Sequence, residues 1–175
     1  IKQKYDGDYD DHLTDRGLLD AKKIAEELID SEIQIIFSSS KIRARETTKI
    51  IADKLNCQTT IVEDLNEQDI YGAYVALGKD QPEEEYRKLG EILTNRENAV
   101  EGAETYDHFK DRIIKSFSKI TSDNYKTIAI VTHGGPIRSI FREILKLGEF
   151  IEIGNGAIIE LEKNDSNISV TSIHN

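Results

Sequence analysis

The sequence is short of cysteine, of basic residues and of long apolar runs, and each shortage excludes a class of protein. Cys57 is the single cysteine among 175 residues, so the chain cannot form an internal disulfide, which favours a reducing, cytoplasmic compartment. No apolar run reaches the ~18 residues of a membrane-spanning helix, so we expect no membrane partner. Lysine and arginine number 23 against 33 aspartates and glutamates, a net charge of −10. This balance argues against a nucleic-acid partner, and an anionic ligand would need a local cluster of basic residues.

Methionine is also absent from the sequence. Because the chain begins at Ile1 and contains no methionine, we expect further residues to precede Ile1. The 175 residues suffice for one domain with a sizeable core, and neither a repeat nor a linker divides them. We therefore predict a single domain over residues 1–175.

Apolar spacing alternates between the helical and the strand period along the chain. The helical period predicts helices over about 15–29, after residue 41, over 83–94, over 106–120 and after residue 135. Short β-branched runs predict strands at 33–37, 58–62 and 128–132, and a hairpin at 157–162 and 168–173. The segment 63–78 has no clean period, so we expect a loop there. Alternating strands and helices indicate an α/β fold, a three-layer α/β/α sandwich with a mostly parallel sheet and an antiparallel C-terminal edge hairpin.

The strand over 128–132 is predicted to be buried on both faces, and it leads into His133, Gly134 and Gly135. The two glycines permit a sharp turn, and Pro136 has the φ angle of a first helical turn. Such a turn directs backbone N–H groups at one point, where a phosphate can bind. A histidine there can attack, donate a proton or bind a ligand, although a capped turn with a structural histidine explains this motif equally well.

Two further predicted strands end near side chains that suit the same chemistry. The strand at 33–37 leads through three serines to Arg43 in the first turn of a helix, and the strand at 58–62 leads to Glu67. Because ligands bind at the carboxyl ends of parallel strands, we expect Arg43, Glu67 and His133 to meet at one edge of the sheet. Together they would form a phosphoryl-transfer site with its own proton donor. Each residue alone is explained more simply by a surface salt bridge or a helix cap.

Several motifs occur in a characteristic order: Gly-x-x-Asp with Leu-Thr and Gly at 7–17, Ser-Ser-x-x-x-Arg-Ala at 38–48, Leu-Asn-Glu at 65–67, and Val-Thr-His-Gly-Gly at 131–135. The sequence in these stretches resembles the histidine phosphatase superfamily, the phosphoglycerate-mutase-like proteins. His12 replaces a proline of the family pattern, and the family's Gly-Glu-Ser is only approximated at 102–105. Asn155 matches an asparagine near a late strand. The resemblance covers nearly the whole chain and implies a phosphoglycerate-mutase-like fold.

The resemblance implies a role for each of the three strand-end residues. Arg43 would bind the phosphate, and His133 would hydrogen-bond the phosphoryl oxygens. Glu67 would act as general acid on the leaving oxygen and then as base toward water. A guanidinium and an imidazolium would offset the charge that develops on the transferring group. No metal and no other cofactor is implied.

Residues around His133 receive supporting roles from the same resemblance. Thr132, Gly134 and Gly135 would shape the substrate pocket through their positions beside the histidine. Arg138 lies one turn into the following helix, where it would either reach the pocket or pair with Glu143.

The family's nucleophile is a histidine in an Arg-His-Gly motif at the end of the first strand, and no such motif precedes Gly7. We expect that strand to lie before Ile1, because His12 as a substitute would sit in a connecting loop that faces away from the strand ends. On this expectation the chain is a phosphatase that hydrolyses a small phosphomonoester through a phosphohistidine intermediate. The region 67–104 is expected to select the substrate.

Three other functions stay open at this stage. A mutase that moves phosphate between hydroxyls shares the motifs, although such mutases are usually longer. A relative without the nucleophile would bind a phosphorylated ligand or a protein partner and leave it unchanged. The aspartate cluster at 6–11 resembles part of a calcium loop but lacks its twelfth-position glutamate and its glycine spacing.

Overall fold

The computed structural model describes residues 11–149, 152–165 and 167–174. The helices are α1 (Asp15–Glu27), α2 (Ile42–Leu55), α3 (Tyr71–Leu77), α4 (Glu83–Thr94), α5 (Tyr106–Ile120) and α6 (Gly134–Ser139). The strands are β1 (Ile35–Ser38), β2 (Gln58–Ile61), β3 (Ile128–Val131), β4 (Ile158–Asn164) and β5 (Asn167–His174). Most of the aspartate cluster at 6–11 lies outside the described residues, so the structure does not bear on the calcium loop.

The first helix begins at the residue that the sequence predicts. The Thr14 hydroxyl accepts a hydrogen bond from the Gly17 N–H at 3.1 Å, and Asp15 lies in the first turn, where the helix dipole favours an acidic side chain. Ala21 and Ala25 are the buried residues of this helix. Their small side chains let α1 lie close against α2.

The parallel sheet places three strand ends at one edge. Its order is β2-β1-β3, and both neighbours of β1 run parallel to it. Ser38, the last residue of β1, pairs with Ile61 of β2 and with Val131 of β3. All three strands therefore end in register, and the loops that follow them start from the same rim.

Helices cover both faces of this sheet. On one face Ile36 packs in a buried cluster with Ala25 of α1 and Ile51 of α2. On the other face Ile35 and Phe37 pack with Leu65 and with Ile120 of α5. The result is the predicted three-layer arrangement, in which alternate residues of β1 face opposite helix layers. The β3 residues, predicted to be buried on both faces, are only half-buried.

The segment 63–78 differs from the predicted loop. It contains a 3₁₀ turn at Glu63–Leu65 and the helix α3. Helix α3 is only seven residues long, too short to show a clear period. Its position depends instead on a backbone contact, since a Cβ added at Gly72 would lie 2.1 Å from the carbonyl oxygen of Gly102. Only a glycine permits that approach.

The last third of the chain contains a π-helical turn and the C-terminal hairpin. Helix α6 changes after six residues into a π-helical turn over Ile140–Ile144, in which the Leu145 N–H donates to the Ile140 carbonyl at 3.0 Å. The C-terminal hairpin is antiparallel as predicted, and in the part of the chain that is described it forms a two-stranded sheet of its own. Leu161 and Ile168 of the hairpin pack against a cluster around Phe109 of α5.

Candidate phosphate site

The structure brings His133 and Arg43 into contact at the rim of the sheet. His133 directly follows the residue after β3, and it is 9% exposed. Its Nδ1 lies 3.2 Å from Nη2 of Arg43, which is in the first turn of α2. Its Nε2 lies 2.7 Å from the hydroxyl of Ser39. The in-register strand ends thus produce the contact that the sequence predicted.

The surroundings of His133 disfavour the charged form of its ring. Burial, and after it the charges of Arg43, Lys41 and Arg112, lower the pKa of His133 from 6.5 to about 4. An imidazolium would lose its hydration in the buried site and would be repelled by the nearby cations. These surroundings therefore disfavour the imidazolium that the sequence led us to expect, and an anion that offsets the charges of the cations would favour it.

Arg43 has a side-chain nitrogen that is available to an anion. Its Nη1 atom is buried and has no acceptor among the described residues, while its Nη2 atom contacts His133. A buried guanidinium nitrogen without an acceptor is costly, and an oxyanion would satisfy it. The chemistry at this point fits a phosphate group.

Glu67 reaches the same rim through the loop that follows β2. Its Oε2 atom accepts a hydrogen bond from the Gly135 N–H at 3.0 Å, and its Oε1 atom accepts one from the Gln68 N–H at 3.0 Å. The sequence predicted that the glycine amides after β3 would face a phosphate, whereas in this structure the Gly135 amide orients the carboxylate. Glu67 thereby lies beside the segment that carries His133.

The predicted supporting residues have defined positions. The Thr132 hydroxyl donates to the Leu65 carbonyl at 2.7 Å and so connects the end of β3 to the loop that carries Glu67. The Arg138 guanidinium lies beside Gly134, where an added Cβ would be 2.9 Å from its Nη1 atom. Glu143, the alternative partner proposed for Arg138, accepts a hydrogen bond from the Tyr106 hydroxyl at 2.8 Å.

Three residues with evident positional roles were not identified from the sequence. Ser39 and Asn66 lie inside the matched motifs, and Asn66 Oδ1 accepts hydrogen bonds from the Ser39 hydroxyl at 2.6 Å and from the Ser40 N–H at 2.9 Å. Both residues could have been identified from the sequence, because they lie close to Arg43 and Glu67 in those motifs. Arg112, the third residue, lies on α5 and had no such signal.

Arg112 anchors the loop that carries Glu67. Its guanidinium forms two hydrogen bonds with Glu104, at 2.7 and 2.8 Å. It also donates to the carbonyls of Asp64, Asn66 and Glu67 at 2.7, 2.8 and 3.0 Å. Burial raises the pKa of Glu104, but the Arg112 guanidinium outweighs it and holds that pKa below its usual value. The loop is therefore fixed by a charged pair that remains ionised.

A cleft of about 460 Å³ adjoins this arrangement. Lys41, Asn66, Glu67, Glu104 and His108 are among the residues that line it. The cleft thus lies along the region 67–104, where the sequence placed substrate selection. It has room for the organic part of a small phosphate ester.

The remaining histidines contact other residues or are exposed, and His108 also lines the adjoining cleft. His12 contacts Glu46 of α2 through Nδ1 at 2.6 Å, His108 contacts Glu104 at 2.8 Å, and His174 is exposed on β5. Across the described ranges, no helix is both long enough and apolar enough to cross a membrane.

Gly135 is predicted to be essential for the position of Glu67. A Cβ at this residue would lie 1.8 Å from Glu67 Oε1, so Gly135→Ala must displace the carboxylate. We expect a loss of about tenfold in turnover, because the displaced carboxylate is misaligned with a bound substrate. Gly90→Ala, in the middle of α4, is the control and should retain turnover. Equal rates in the two variants would contradict the assigned position of Glu67.

The fold and the site define an α/β protein that presents an arginine, a histidine and a carboxylate at the carboxyl edge of a parallel sheet. Residues 1–175 match the sequence model of the histidine phosphatase superfamily (branch 1). The chain belongs to this superfamily.

Relatives and solved structures agree with that membership. The metal-independent phosphoserine phosphatase of Arabidopsis thaliana is 28% identical over 161 residues, which cover 87% of this chain and 66% of the relative. The phosphoglycerate mutase-like protein 4 of the same plant is 33% identical over 148 residues, which cover 80% of this chain and 63% of the relative. The chain therefore spans about two thirds of the length of these relatives. Bacillus stearothermophilus YhfR has the same fold, with a TM-score of 0.75 at 19% identity over 92% of this chain and 83% of that one.

Proposed function

We propose that this protein is a phosphatase that hydrolyses a small phosphomonoester without a metal ion, through a phosphohistidine intermediate. The observation that carries the proposal is the buried Nη1 of Arg43, which has no acceptor among the described residues and lies beside His133. A phosphoryl oxygen supplies the missing acceptor. Names of relatives support the reaction class, since one is called a metal-independent phosphoserine phosphatase.

In the proposed reaction, Arg43 and His133 bind the phosphoryl oxygens and offset the charge that develops on them. The ester P–O bond breaks as a P–N bond forms with a nucleophilic imidazole, and Glu67 gives its proton to the leaving oxygen. Water then attacks phosphorus, Glu67 takes a proton from the water, and the P–N bond breaks. Thr132, Gly134, Gly135 and Arg138 shape the pocket, and the proposal assigns the nucleophile to no numbered residue.

The compartment of this reaction is also a proposal. A single cysteine, half-buried Cys57, is consistent with a reducing cytoplasm. Burial raises the pKa of the Cys57 thiol, which makes it a poor nucleophile and favours a structural role.

The full-length protein should hydrolyse p-nitrophenyl phosphate in the presence of a metal chelator. Quenching a reaction with a ³²P-labelled ester in alkaline detergent should trap phosphate on histidine, because phosphohistidine is stable to alkali and labile to acid. Binding of inorganic phosphate without turnover would instead support the alternative that this protein binds a phosphorylated ligand and does not hydrolyse it. Transfer of the label to an added hydroxyl compound in preference to water would support a mutase.

Glu67→Gln should lower turnover most for the substrates whose leaving group must be protonated. An alkyl alcohol leaves only with a proton, whereas p-nitrophenolate leaves without one, so the ratio of alkyl to aryl turnover should fall by about tenfold or more. Asp64→Asn, which neutralises an exposed carboxylate three residues earlier, is the matched control. A ratio that is unchanged in Glu67→Gln would remove Glu67 from the role of general acid.

A further inference from the structure

A continuous hydrogen-bond chain joins the Glu67 loop to Arg43 through Asn66, Ser39 and His133. The orientation of Asn66 at its start is unambiguous. The Ser40 backbone N–H lies 2.9 Å from Asn66 Oδ1 and can only donate, so that atom is the amide oxygen. An amide oxygen has no proton and accepts in every bond that it makes.

The contacts of the Ser39 hydroxyl determine the direction of the next bond. Ser39 is fully buried, and its Oγ lies near Asn66 Oδ1 at 2.6 Å, the Lys41 N–H at 3.2 Å and His133 Nε2 at 2.7 Å. A hydroxyl has one proton and two lone pairs. The hydroxyl donates its hydrogen bond to Asn66 Oδ1, which can only accept. One of its lone pairs accepts the hydrogen bond from the Lys41 N–H. The remaining lone pair needs a donor, so His133 Nε2 carries a proton.

The opposite nitrogen of the ring is then free of a proton. Nδ1 lies 3.2 Å from Arg43 Nη2, and a guanidinium can only donate, so Nδ1 accepts from Arg43. Among the described residues, the charged groups on the elements around the ring are Arg43 and Lys41 at the start of α2, Arg112 of α5, Glu67 of the loop after β2, and Arg138 of α6. Four of these five are cations, which agrees with a neutral ring.

We propose that Ser39 and Asn66 are positioning residues that hold His133 in the tautomer protonated at Nε2, with Nδ1 directed at Arg43 and at the bound phosphoryl group. This inference deepens the proposed function and rests on it for the identity of the ligand. The tautomer itself follows from the hydrogen bonds of the free protein alone.

The tautomer has a consequence for phosphate binding. Nδ1 can donate to a phosphoryl oxygen only after it gains a proton. A phosphate monoanion, whose second pKa is about 6, carries that proton on oxygen. When it binds, the proton moves from phosphate oxygen to Nδ1, which leaves a dianionic phosphate facing an imidazolium. Arg43 Nη2 then turns from Nδ1 to the dianion.

Nitrogen NMR of the ¹⁵N-labelled full-length protein tests this inference directly. At pH 7 without phosphate, long-range ¹H–¹⁵N spectra should show His133 with a protonated Nε2 and an unprotonated Nδ1. Saturation with inorganic phosphate should convert both nitrogens to the protonated type. The signals are assigned by their loss in His133→Gln. A wild-type ring protonated at Nδ1 would overturn the inference.

Two variants separate the positioning role from a general loss of structure. Ser39→Ala removes the acceptor for Nε2–H, so a Nδ1-protonated fraction should appear and kcat should fall by about tenfold, as expected for a misdirected donor. Ser38→Ala is the control, because this hydroxyl is equally buried but bonds to the Ser39 carbonyl and Thr48. It should leave the His133 spectrum unchanged.

If Ser39→Ala does not fold, Asn66→Ala provides the same test. Without Asn66 Oδ1 the Ser39 proton can turn to Nε2, which permits the other tautomer, so Nδ1–H should again appear. An unchanged His133 spectrum in whichever variant folds would contradict the inference. A wild-type spectrum with the expected tautomer but no response to phosphate and no turnover would contradict the proposed function and leave the tautomer assignment standing.

Discussion

Replacing Arg43 with alanine is expected to lower kcat/KM for p-nitrophenyl phosphate by about 10³-fold, or about 4 kcal/mol of transition-state stabilisation. The reason is that Arg43 combines a fixed position at the rim of the sheet with a buried nitrogen that has no acceptor among the described residues. Its guanidinium is partly buried, so its charge acts more strongly than it would in water. Steady-state kinetics with the purified variant measure the loss.

A lysine in place of Arg43 tests whether the charge of the arginine or the shape of its guanidinium accounts for its effect on turnover. Arg43→Lys keeps the positive charge but cannot bond to His133 and to a phosphoryl oxygen with a rigid fork, so we expect it to remain about 30-fold or more below wild type. Arg45→Ala is the matched control, because Arg45 lies in the same helix and is exposed. If Arg43→Ala and Arg45→Ala both stay within threefold of wild type, Arg43 is not the phosphate ligand.

His133→Gln is expected to lower turnover by at least about 100-fold, in line with the loss of one positioned donor. The variant removes the proposed contact with the phosphoryl group and also the partner of Ser39 and of Arg43. His174→Gln, which changes an exposed histidine on β5, is the control. Comparable rates in these two variants would show that His133 has a structural role only.

The same variant has a second readout in the pH dependence of stability. The pKa of His133 is about 4 in the folded protein and 6.5 without the fold, so between these values the unfolded chain binds more protons. The free energy of unfolding must then decrease as the pH falls through this window, by up to about 3 kcal/mol from this residue. Urea unfolding at pH 7 and pH 4.5 should show a steeper decrease for wild type than for His133→Gln. Parallel profiles would mean that His133 is not desolvated in the folded protein.

Local periodicity was sufficient for much of the fold. The bounds of α4 and α5 match the predicted 83–94 and 106–120, because each helix has a clear apolar stripe and begins next to a residue that favours a helix start. The predicted strands were correct within two residues, since β-branched runs between turns are a local signal. Helix α3 was missed because its place depends on the contact of Gly72 with Gly102, which no short window of sequence contains.

The sequence predicted which strand ends meet at the candidate site, but it did not predict the hydrogen bonds between the side chains there. Parallel strands that end in register bring Arg43 to His133, and the motif spacing was enough to expect this. The sequence did not predict three sets of contacts. These are the hydrogen bond from the Gly135 amide to Glu67, the five hydrogen bonds of Arg112, and the hydrogen bond from Ser39 to Asn66. The residues in each of these contacts come from separate elements, so their spacing along the chain carries no signal.

The sequence by itself determined the family, the α/β order of elements and three residues at the carboxyl ends of the strands, because motifs and periodicity are properties of short segments. Only the tertiary structure bears on the charge of His133 and on its proposed tautomer. Both depend on burial and on partners such as Ser39, which is 94 positions away along the chain. Desolvation and hydrogen-bond direction are set by what surrounds a group in space, so they become defined only when the chain has folded.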